Sequence, residues 1–472
     1  MNYSLGRFSF ISFSERMLSM NEQVNNEPIA ALATPFGRSA LAVIRTSGEE
    51  VIERIAALFS EGGKLRDAEG HTLHHGRLMD GETTVDEVVL ALFRSPRSYT
   101  GEESVEVYCH GSRPGIQRLL DLLYKNGFRP AEPGEFTLRA FMNGKLDLTR
   151  AEAVREIADA QTSAAQELAL GRLGGSVERR INGLKERLVK LLAALSIQLD
   201  YPEEETGEIP TDREELERIG SELRDLAATY RTGRIYQEGV RVALGGRTNA
   251  GKSSLFNALL REDRAIVSEL HGTTRDYIEA SLDVEGVPVI LFDTAGLREV
   301  AEEVEGEGIR RSRTILERAE MVLYLVDAAE GLVEEDERFL GEDAAGAEGR
   351  IIPVWNKSDL PLTGEPPEGF FRVSALRAEG VGDLLAEIRR RALPEDGVRG
   401  GEPVIDSLRQ KNLLERAATA VDQVAEGVDA LMPADLLSLD VQEAIGALGE
   451  ITGEVTTADL LETMFEGFCV GK

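Results

Sequence analysis

The chain has 472 residues, 42% of them hydrophobic, which suits roughly two to four domains with real cores. Its 53 basic and 84 acidic side chains leave a net charge of −31, so the surface is soluble and repels bare nucleic acid unless a segregated basic patch or a basic partner helps. Two cysteines exclude a disulfide framework and a multi-cysteine metal site and fit a reducing cytoplasm, and no apolar run approaches the roughly 20 residues of a membrane span.

Residues 1–26 hold a broken apolar stretch with neither the h-region nor the small-residue cleavage site of a signal peptide. They read as a disordered extension, with Met20 as a candidate start. From Pro28 to about Arg139 the texture is α/β. "IAALATPFGRSALAVIRTSG" has strand-like runs around a Pro/Gly turn, "DEVVLALFRSP" and "ESVEVYCHG" read as strands, and "GIQRLLDLLYKNG" reads as a helix with a glycine stop. Cys109 falls in a strand and reads as core.

From about Leu146 the pattern turns helical. Ile181, Leu184, Leu188, Leu191, Leu195 and Leu199 recur at three and four residues and make one apolar face. "YPEEETGEIP" breaks the run; Thr211 and Glu214 then form a capping-box pattern before Leu216, Ile219, Leu223 and Leu226. From Arg241 to about Leu393 strands and helices alternate, as in a mostly parallel sheet. The strands are "VRVALGG", "PVILFDTAG", "MVLYLVDA", "IIPVWNK" and "FFRVSA". After "LPEDGVRGGEP" the helical texture returns, with stripes at Leu414, Ala417, Val421, Val424 and at Val441, Ala444, Ile445, Leu448. Each helical block lacks partners alone, so the economical arrangement packs the two together with the α/β unit inserted between them.

"GGRTNAGKSSL" follows a strand and opens a helix, and it matches the P-loop from Gly246 to Ser253. Its glycines let backbone N–H groups of Asn249, Ala250, Gly251 and their neighbours through Ser254 close around phosphate oxygens. Lys252 reaches the β/γ-phosphates, Ser253 offers its hydroxyl to Mg²⁺, and the helix N-terminus favours anions. Three further matches follow in order. In "DTAG", Asp293, Thr294, Ala295 and Gly296, the aspartate can hold Mg²⁺ through water and the Gly296 N–H can sense the γ-phosphate. In "NKSD", Asn356, Lys357, Ser358 and Asp359, the last carboxylate can accept from guanine N1–H and the 2-amino group. Adenine has no such donor pair, which selects GTP over ATP. In "SAL", Ser374, Ala375 and Leu376, a backbone N–H would meet guanine O6. "GTTRD" places Thr274 as the switch ligand to Mg²⁺. Where many GTPases have a water-orienting glutamine after DxxG, this chain has Leu297, which cannot orient water. Arg275 and Arg298 are candidate arginine fingers, and carboxylate-rich "GLREVAEEVEGEG" is a candidate source of a water guide or a solvated loop.

From about Pro28 to Lys472 the chain resembles the tRNA-modification GTPase family MnmE, also called TrmE. The resemblance rests on "ATPFGRSALAVIR", "YTGEESVEVYCHG", "PGEFTLRAFMNGKLDL" running into "AEAV", "GRTNAGKSSL", "GTTRD", "DTAGLRE" and the terminal "FCVGK". It implies a multidomain α/β plus α fold. The expected parts are an N-terminal folate-binding and dimerisation domain at 27–143, a helical domain at 144–238 and 394–472, and a Ras-like P-loop GTPase domain inserted at 239–393. It also implies a homodimer that works with the flavoprotein MnmG in a larger complex. Together they install an aminomethyl-type (carboxymethylaminomethyl) group at C5 of the wobble uridine of certain tRNAs, in the cytoplasm.

The resemblance further implies potassium-activated hydrolysis. Asn249 would hold K⁺ with the loop Ser268, Glu269, Leu270, His271, Gly272 and Thr273, of which Ser268, Leu270 and Thr273 are ligands. Glu305 would be the water-orienting residue. Thr248 stands where the family often has proline, and "SELHG" replaces a more usual "TDIAG". A tetrahydrofolate derivative, in its 5-formyl or methylene form, would be bound by Arg45, Glu106, Lys145 and Lys472, through a carboxylate on the pterin edge and cations on the glutamate tail. In the tail, Phe468 would anchor and Gly471 would bend. Cys469 reads two ways: a small buried apolar contact, or a thiol at the modification centre acting as nucleophile or proton carrier. Two other functions compete. A non-catalytic GTP switch in ribosome or RNA assembly usually carries a basic RNA-binding module, and no GxxG-type loop follows the GTPase motifs here. A folate-binding scaffold with a vestigial GTPase fits poorly with a full set of nucleotide motifs.

Overall fold

A computed structural model of the chain describes residues 27–200, 213–262, 278–293, 316, 319–342, 350–361, 364–393 and 402–471. These fall into two compact units. The first takes the described residues up to Ala158, then Arg172–Leu223 and Leu413 onward; the second takes Asp159–Gly171 and Arg224–Asn412.

The first unit is built on six strands: β1 (Ile29–Leu32), β2 (Leu41–Ser47), β3 (Thr72–Asp80), β4 (Thr83–Phe93), β5 (Ser104–His110) and β6 (Arg129–Pro130). They lie in the order β3-β4-β5-β2-β1-β6, antiparallel except for the β1–β6 pair. One face buries Ala30, Ile44, Leu90, Val107 and Cys109 beneath helices Val51–Leu58 and Arg113–Lys125. The second helix starts as expected of its residues: Ser112 accepts from the Gly115 N–H, and Pro114 occupies the first turn, where a missing N–H costs nothing. The strand β3 and helices Val51–Leu58 and Glu135–Met142 are additions to the expected elements. β3, "TLHHGRLMD", is a half-exposed edge strand rich in polar residues, so its alternation carries little hydrophobic signal.

Helix Glu135–Met142 brings a charged side chain into the interior. Arg139 is 1% exposed. It donates to Glu135 at 2.8 Å, to Glu102 at 3.1 Å and to the Glu27 carbonyl at 3.0 Å. Glu135 also accepts from Arg129 at 2.6 Å and from the Glu132 N–H at 2.9 Å. Burial pushes the Glu135 carboxyl up, but these bonds outweigh it and hold it below the usual range.

The helical blocks of the first unit pack on each other, helix Ser176–Asp200 against helix Ala434–Thr452. Ile181, Leu184, Leu188 and Leu195 are buried, whereas Leu191 is half-buried and Leu199 exposed, so the apolar stripe outlasts its cover. Leu216, Ile219, Leu223 and Leu226 are buried on helix Arg213–Ala228, although Thr211 lies outside the described residues. Leu414, Ala417, Val421 and Val424 are buried on helix Leu408–Asp429; Val441, Ala444 and Leu448 are buried on Ala434–Thr452, with Ile445 half-buried.

The second unit holds β7 (Val240–Gly246), β8 (Ile278–Val284), β9 (Val287–Asp293), β10 (Met321–Asp327), β11 (Ile351–Asn356) and β12 (Phe371–Arg372), in the order β12-β11-β10-β7-β9-β8. All pairs are parallel except β8–β9. β10, "MVLYLVD", is buried from Met321 to Val326, as a central parallel strand covered on both faces must be. β8, "IEASLDV", was not among the expected strands; its alternating polar residues suit an antiparallel edge.

Candidate functional site

The described residues of the nucleotide motifs lie at the C-terminal ends of β7, β9, β11 and β12, where open α/β sheets bind ligands. β7 ends at Gly246, and helix Lys252–Glu262 starts shortly after it. Gly246 (φ +126°) lies where a Cβ would come 2.4 Å from the Leu325 carbonyl oxygen, and at Gly251 (φ +95°) a Cβ would come 2.2 Å from Asn356 Nδ2. Neither position admits a side chain, which is why the loop needs glycine at both ends. Asn249 between them takes the left-handed conformation, φ +64°.

Asn356 ties this loop to the base end. Its Nδ2 donates to the Ala250 carbonyl at 2.8 Å, and its Oδ1 accepts from the Ala375 N–H at 3.1 Å. Lys357, also left-handed at φ +67°, reaches Asp327 at 2.6 Å. Asp359 accepts from the Ser374 hydroxyl at 2.6 Å, which together with lesser causes holds its carboxyl below the usual range. Ser358 N–H donates to the Val373 carbonyl, and Leu376 is exposed. Lys252 Nζ donates to the carbonyls of Gly246 and Arg247 at 2.9 and 2.8 Å, so its ammonium lies inside the curl of the loop. The Ser253 hydroxyl donates to Asp293 Oδ2 at 3.0 Å. Two hard oxygen donors so placed fit Mg²⁺. Ser254 is exposed on the first turn of the helix. Ser268, Glu269, Leu270, His271, Gly272, Thr273, Thr274, Thr294, Ala295, Gly296 and Glu305 lie outside the described residues.

The first unit holds the other set. Arg45 on β2 and Glu106 on β5 are direct cross-strand partners. Ala31 on β1 stands beside Arg45 in the same row, and Ala91 on β4 beside Glu106. These small neighbours leave the pair uncrowded. Arg45 Nε donates to Glu106 at 2.9 Å, and Tyr108, two residues along the same strand face, donates to the other Glu106 oxygen at 3.0 Å. Burial, and then the bond to Glu106, pushes the Tyr108 phenol up. The guanidinium also lies 5.4 Å from the Tyr99 ring centroid and 5.8 Å from that of Phe136. Burial pushes the Tyr99 phenol up.

A carboxylate has about four lone-pair sites, so Glu106 can accept further donors, such as the paired N–H groups of a pterin edge. Lys145 donates to the Pro96 carbonyl at 3.0 Å, in the loop that carries Tyr99; Lys472 lies outside the described residues. Tyr108, Tyr99 and Phe136 were not singled out from sequence. The i, i+2 spacing of Glu106 and Tyr108 on one strand was the available signal for the first.

The tail comes to the same pair. Arg45 Nη1 donates to the Gly471 carbonyl at 3.0 Å. Phe468 is 7% exposed and packs on Phe465, ring centroids 5.0 Å apart. Cys469 is exposed, against the reading of it as a buried apolar contact. Cys109 is buried on β5, with its thiol pushed up to about 11 by burial and by Asp86.

Among the described residues no helix is long and apolar enough to cross a membrane. Two family models match the chain: "GTP-binding protein TrmE N-terminus" over residues 28–145 and "MnmE helical domain" over residues 148–469. The chain is 43% identical over 459 residues to a tRNA modification GTPase MnmE of Borrelia recurrentis, covering 94% of this chain and 98% of that protein. It is 42% identical over 470 residues to the protein of the same name from Treponema denticola, with 94% and 98% covered. Among solved structures, a single-residue variant of Aquifex aeolicus Era bound to GDP and aluminium fluoride is 22% identical with a TM-score of 0.25, covering 38% of this chain and 67% of that one; it adds nothing to the assignment. With family models over most of its length and relatives that span it nearly end to end, the chain belongs to the MnmE (TrmE) family of tRNA modification GTPases and is a GTP hydrolase of tRNA modification.

Proposed function

We propose that this GTPase, as a cytoplasmic homodimer working with a flavoprotein partner, installs an aminomethyl-type group at C5 of the wobble uridine of certain tRNAs, drawing the carbon from a reduced folate. The observation that carries this reading is the Arg45–Glu106 pair beneath the carbonyl of Gly471, which brings a carboxylate, a guanidinium and the cysteine-bearing tail to one place. Glu106 binds the pterin edge, held in line by Arg45 and Tyr108. Lys145 and Lys472 neutralise the carboxylates of the ligand. Cys469 is the thiol at that centre.

In the nucleotide site, Lys252 and the N–H groups of Asn249 to Ser254 bind the phosphates, and Asp359 reads guanine while a backbone N–H of the Ser374–Leu376 segment meets its O6. Ser253 and Asp293 hold Mg²⁺, with Thr274 completing the set; the cation supplies charge neutralisation at the phosphates. Asn249, Ser268, Leu270 and Thr273 hold K⁺ in the role an arginine finger has elsewhere, and Glu305 orients the water, since Leu297 cannot.

A basic partner suits the surface. On helix Ser176–Asp200, Arg180 pairs with Glu222, Arg187 with Glu215 and Glu222, and Lys185 with Glu454. These cations are already answered by carboxylates, so a partner that brings positive charge supports RNA binding by so acidic a chain. The test is mass spectrometry of wobble uridines in tRNA from a strain lacking the gene, with and without the gene restored. Modified nucleosides that disappear and return with the gene support the reading; an unchanged nucleoside profile overturns it.

A further inference from the structure

The last residues of the chain are held at three points. Phe468 is buried against Phe465, and the Arg155 guanidinium lies 5.9 Å from its ring centroid. Val470 borders a cavity of about 510 Å³ that Leu32, Tyr124 and Pro130 also line. Gly471 is buried with φ +95°, and a Cβ there would stand 2.7 Å from the Leu32 carbonyl oxygen and 2.9 Å from Ala33 Cα. Gly471 therefore lies flat on the end of β1 in a conformation no other residue takes without strain. Cys469 is exposed, between the buried Phe468 and Val470, which is itself 51% exposed. The third anchor is polar: the Gly471 carbonyl accepts from Arg45 Nη1, while Arg45 Nε serves Glu106.

We propose that Arg45 is the positioning residue of the C-terminal tail, joining it to Glu106 through a single guanidinium, so that the binding chemistry at Glu106 and the placement of Cys469 are set together. The geometry needs arginine. Two N–H groups on different nitrogens of one rigid plane point to two acceptors, one on β5 and one in the tail. A lysine ammonium is a single point at the end of a flexible stem and cannot hold both lines. Because coupling is reciprocal, a ligand on Glu106 that favours this arrangement steadies the tail, and a docked tail favours that ligand. This inference rests on the proposed function for the identity of the ligand, a reduced folate, but not for the latch itself.

The test is hydrogen exchange, read by mass spectrometry on peptides covering residues 467–472 and β5, in the full-length protein without ligand. Arg45→Gln, Arg45→Lys and Gly471→Ala should each speed exchange in the tail peptide at least about tenfold, with β5 protected as in the wild type. Gly471→Ala leaves Arg45 and Glu106 in place. If Arg45→Gln disturbs β5 as well, Gly471→Ala decides alone. Tail exchange as slow as wild type in Gly471→Ala, or in an Arg45→Gln protein with β5 intact, overturns the latch.

A second arm titrates 5-formyltetrahydrofolate calorimetrically. Gly471→Ala, which keeps Arg45, Glu106, Cys469 and Lys472, should bind it several-fold more weakly, by roughly the tenfold that a coupling of 1.4 kcal/mol represents. Equal affinity with a loosened tail overturns the coupling. Absence of binding to the wild type would instead overturn the folate reading and leave the exchange result standing.

Discussion

Asn356 Nδ2 lies 2.8 Å from the Ala250 carbonyl oxygen, so one buried amide holds the P-loop to the end of β11, the segment proposed to read the base. Its Oδ1 accepts from Ala375 in addition. Asn356→Ala strands a buried acceptor and a donor at once, each worth about 1–3 kcal/mol when left unpaired. The expected result is at least about a tenfold loss of GDP affinity by fluorescent-nucleotide titration, and a lower thermal midpoint of the GTPase unit.

Asp359→Asn replaces one acceptor oxygen with a donor that faces the guanine N–H groups. GTP affinity should fall by at least about a hundredfold, and xanthosine triphosphate, which offers an oxygen there, should gain relative to GTP. Competitive titration of the two nucleotides checks this. The bond from Ser374 keeps the Asp359 carboxyl ionised to lower pH. Its contribution to binding is therefore present at neutral pH and is lost only as the pH falls through that depressed value.

GTP turnover should be several-fold faster in KCl than in NaCl at equal ionic strength, because the proposed mechanism gives the charge-neutralising role of an arginine finger to a cation at Asn249. Equal rates would remove the cation from the mechanism. In KCl, Glu305→Ala should lower kcat and kcat/KM together and leave nucleotide affinity nearly intact, as expected of a group acting in the transition state.

Cys469→Ser keeps the side-chain volume but replaces the thiol with a far weaker acid. Wobble-uridine modification should be lost while GTP turnover persists, since every nucleotide motif lies elsewhere in the chain. Normal modification by this variant would leave the tail a purely positional role.

Asp147 caps helix Leu148–Asp159 through one oxygen, which accepts from Thr149 and from the Arg150 N–H. Burial, with Glu178 adding to it, pushes this carboxyl up to about 6. A carboxyl raised by folding favours the folded state below its unfolded value and loses that advantage as the pH rises through about 6. Asp147→Asn should therefore raise the thermal midpoint at pH ~8 and flatten the pH dependence between about 4 and 6.

Much of this was legible in the chain. The P-loop, Asp293, Asn356 and Asp359 sit at strand ends that hydrophobic runs announce, so motif and fold reinforce each other. Arg45 and Glu106 are different. They are 61 residues apart, and only the register of β2 against β5 makes them neighbours. Resemblance to a family could name them; no local pattern could pair them. The Gly471 bond to Arg45 spans almost the whole chain; the family resemblance brings Lys472 and Arg45 to one ligand, but no local pattern shows the bond itself. Polar edge strands such as β3 and β8 were missed because half-exposed edges need little apolar periodicity.

The interior position of Arg139 constrains how this family member can vary. Its guanidinium depends on Glu135 and Glu102, and Glu135 in turn answers Arg129. Arg139 and Glu135 are the buried members, so breaking their pair by removing one of them costs most, up to about 3–5 kcal/mol, whereas exchanging the whole group for apolar side chains of similar volume can be neutral. Single substitutions at Arg139 and Glu135 are therefore closed routes, and drift at that pair must proceed by joint replacement. A change that looks conservative at one of them, such as Glu135→Gln, is expected to be tolerated only on a background already altered at Arg129 or Arg139.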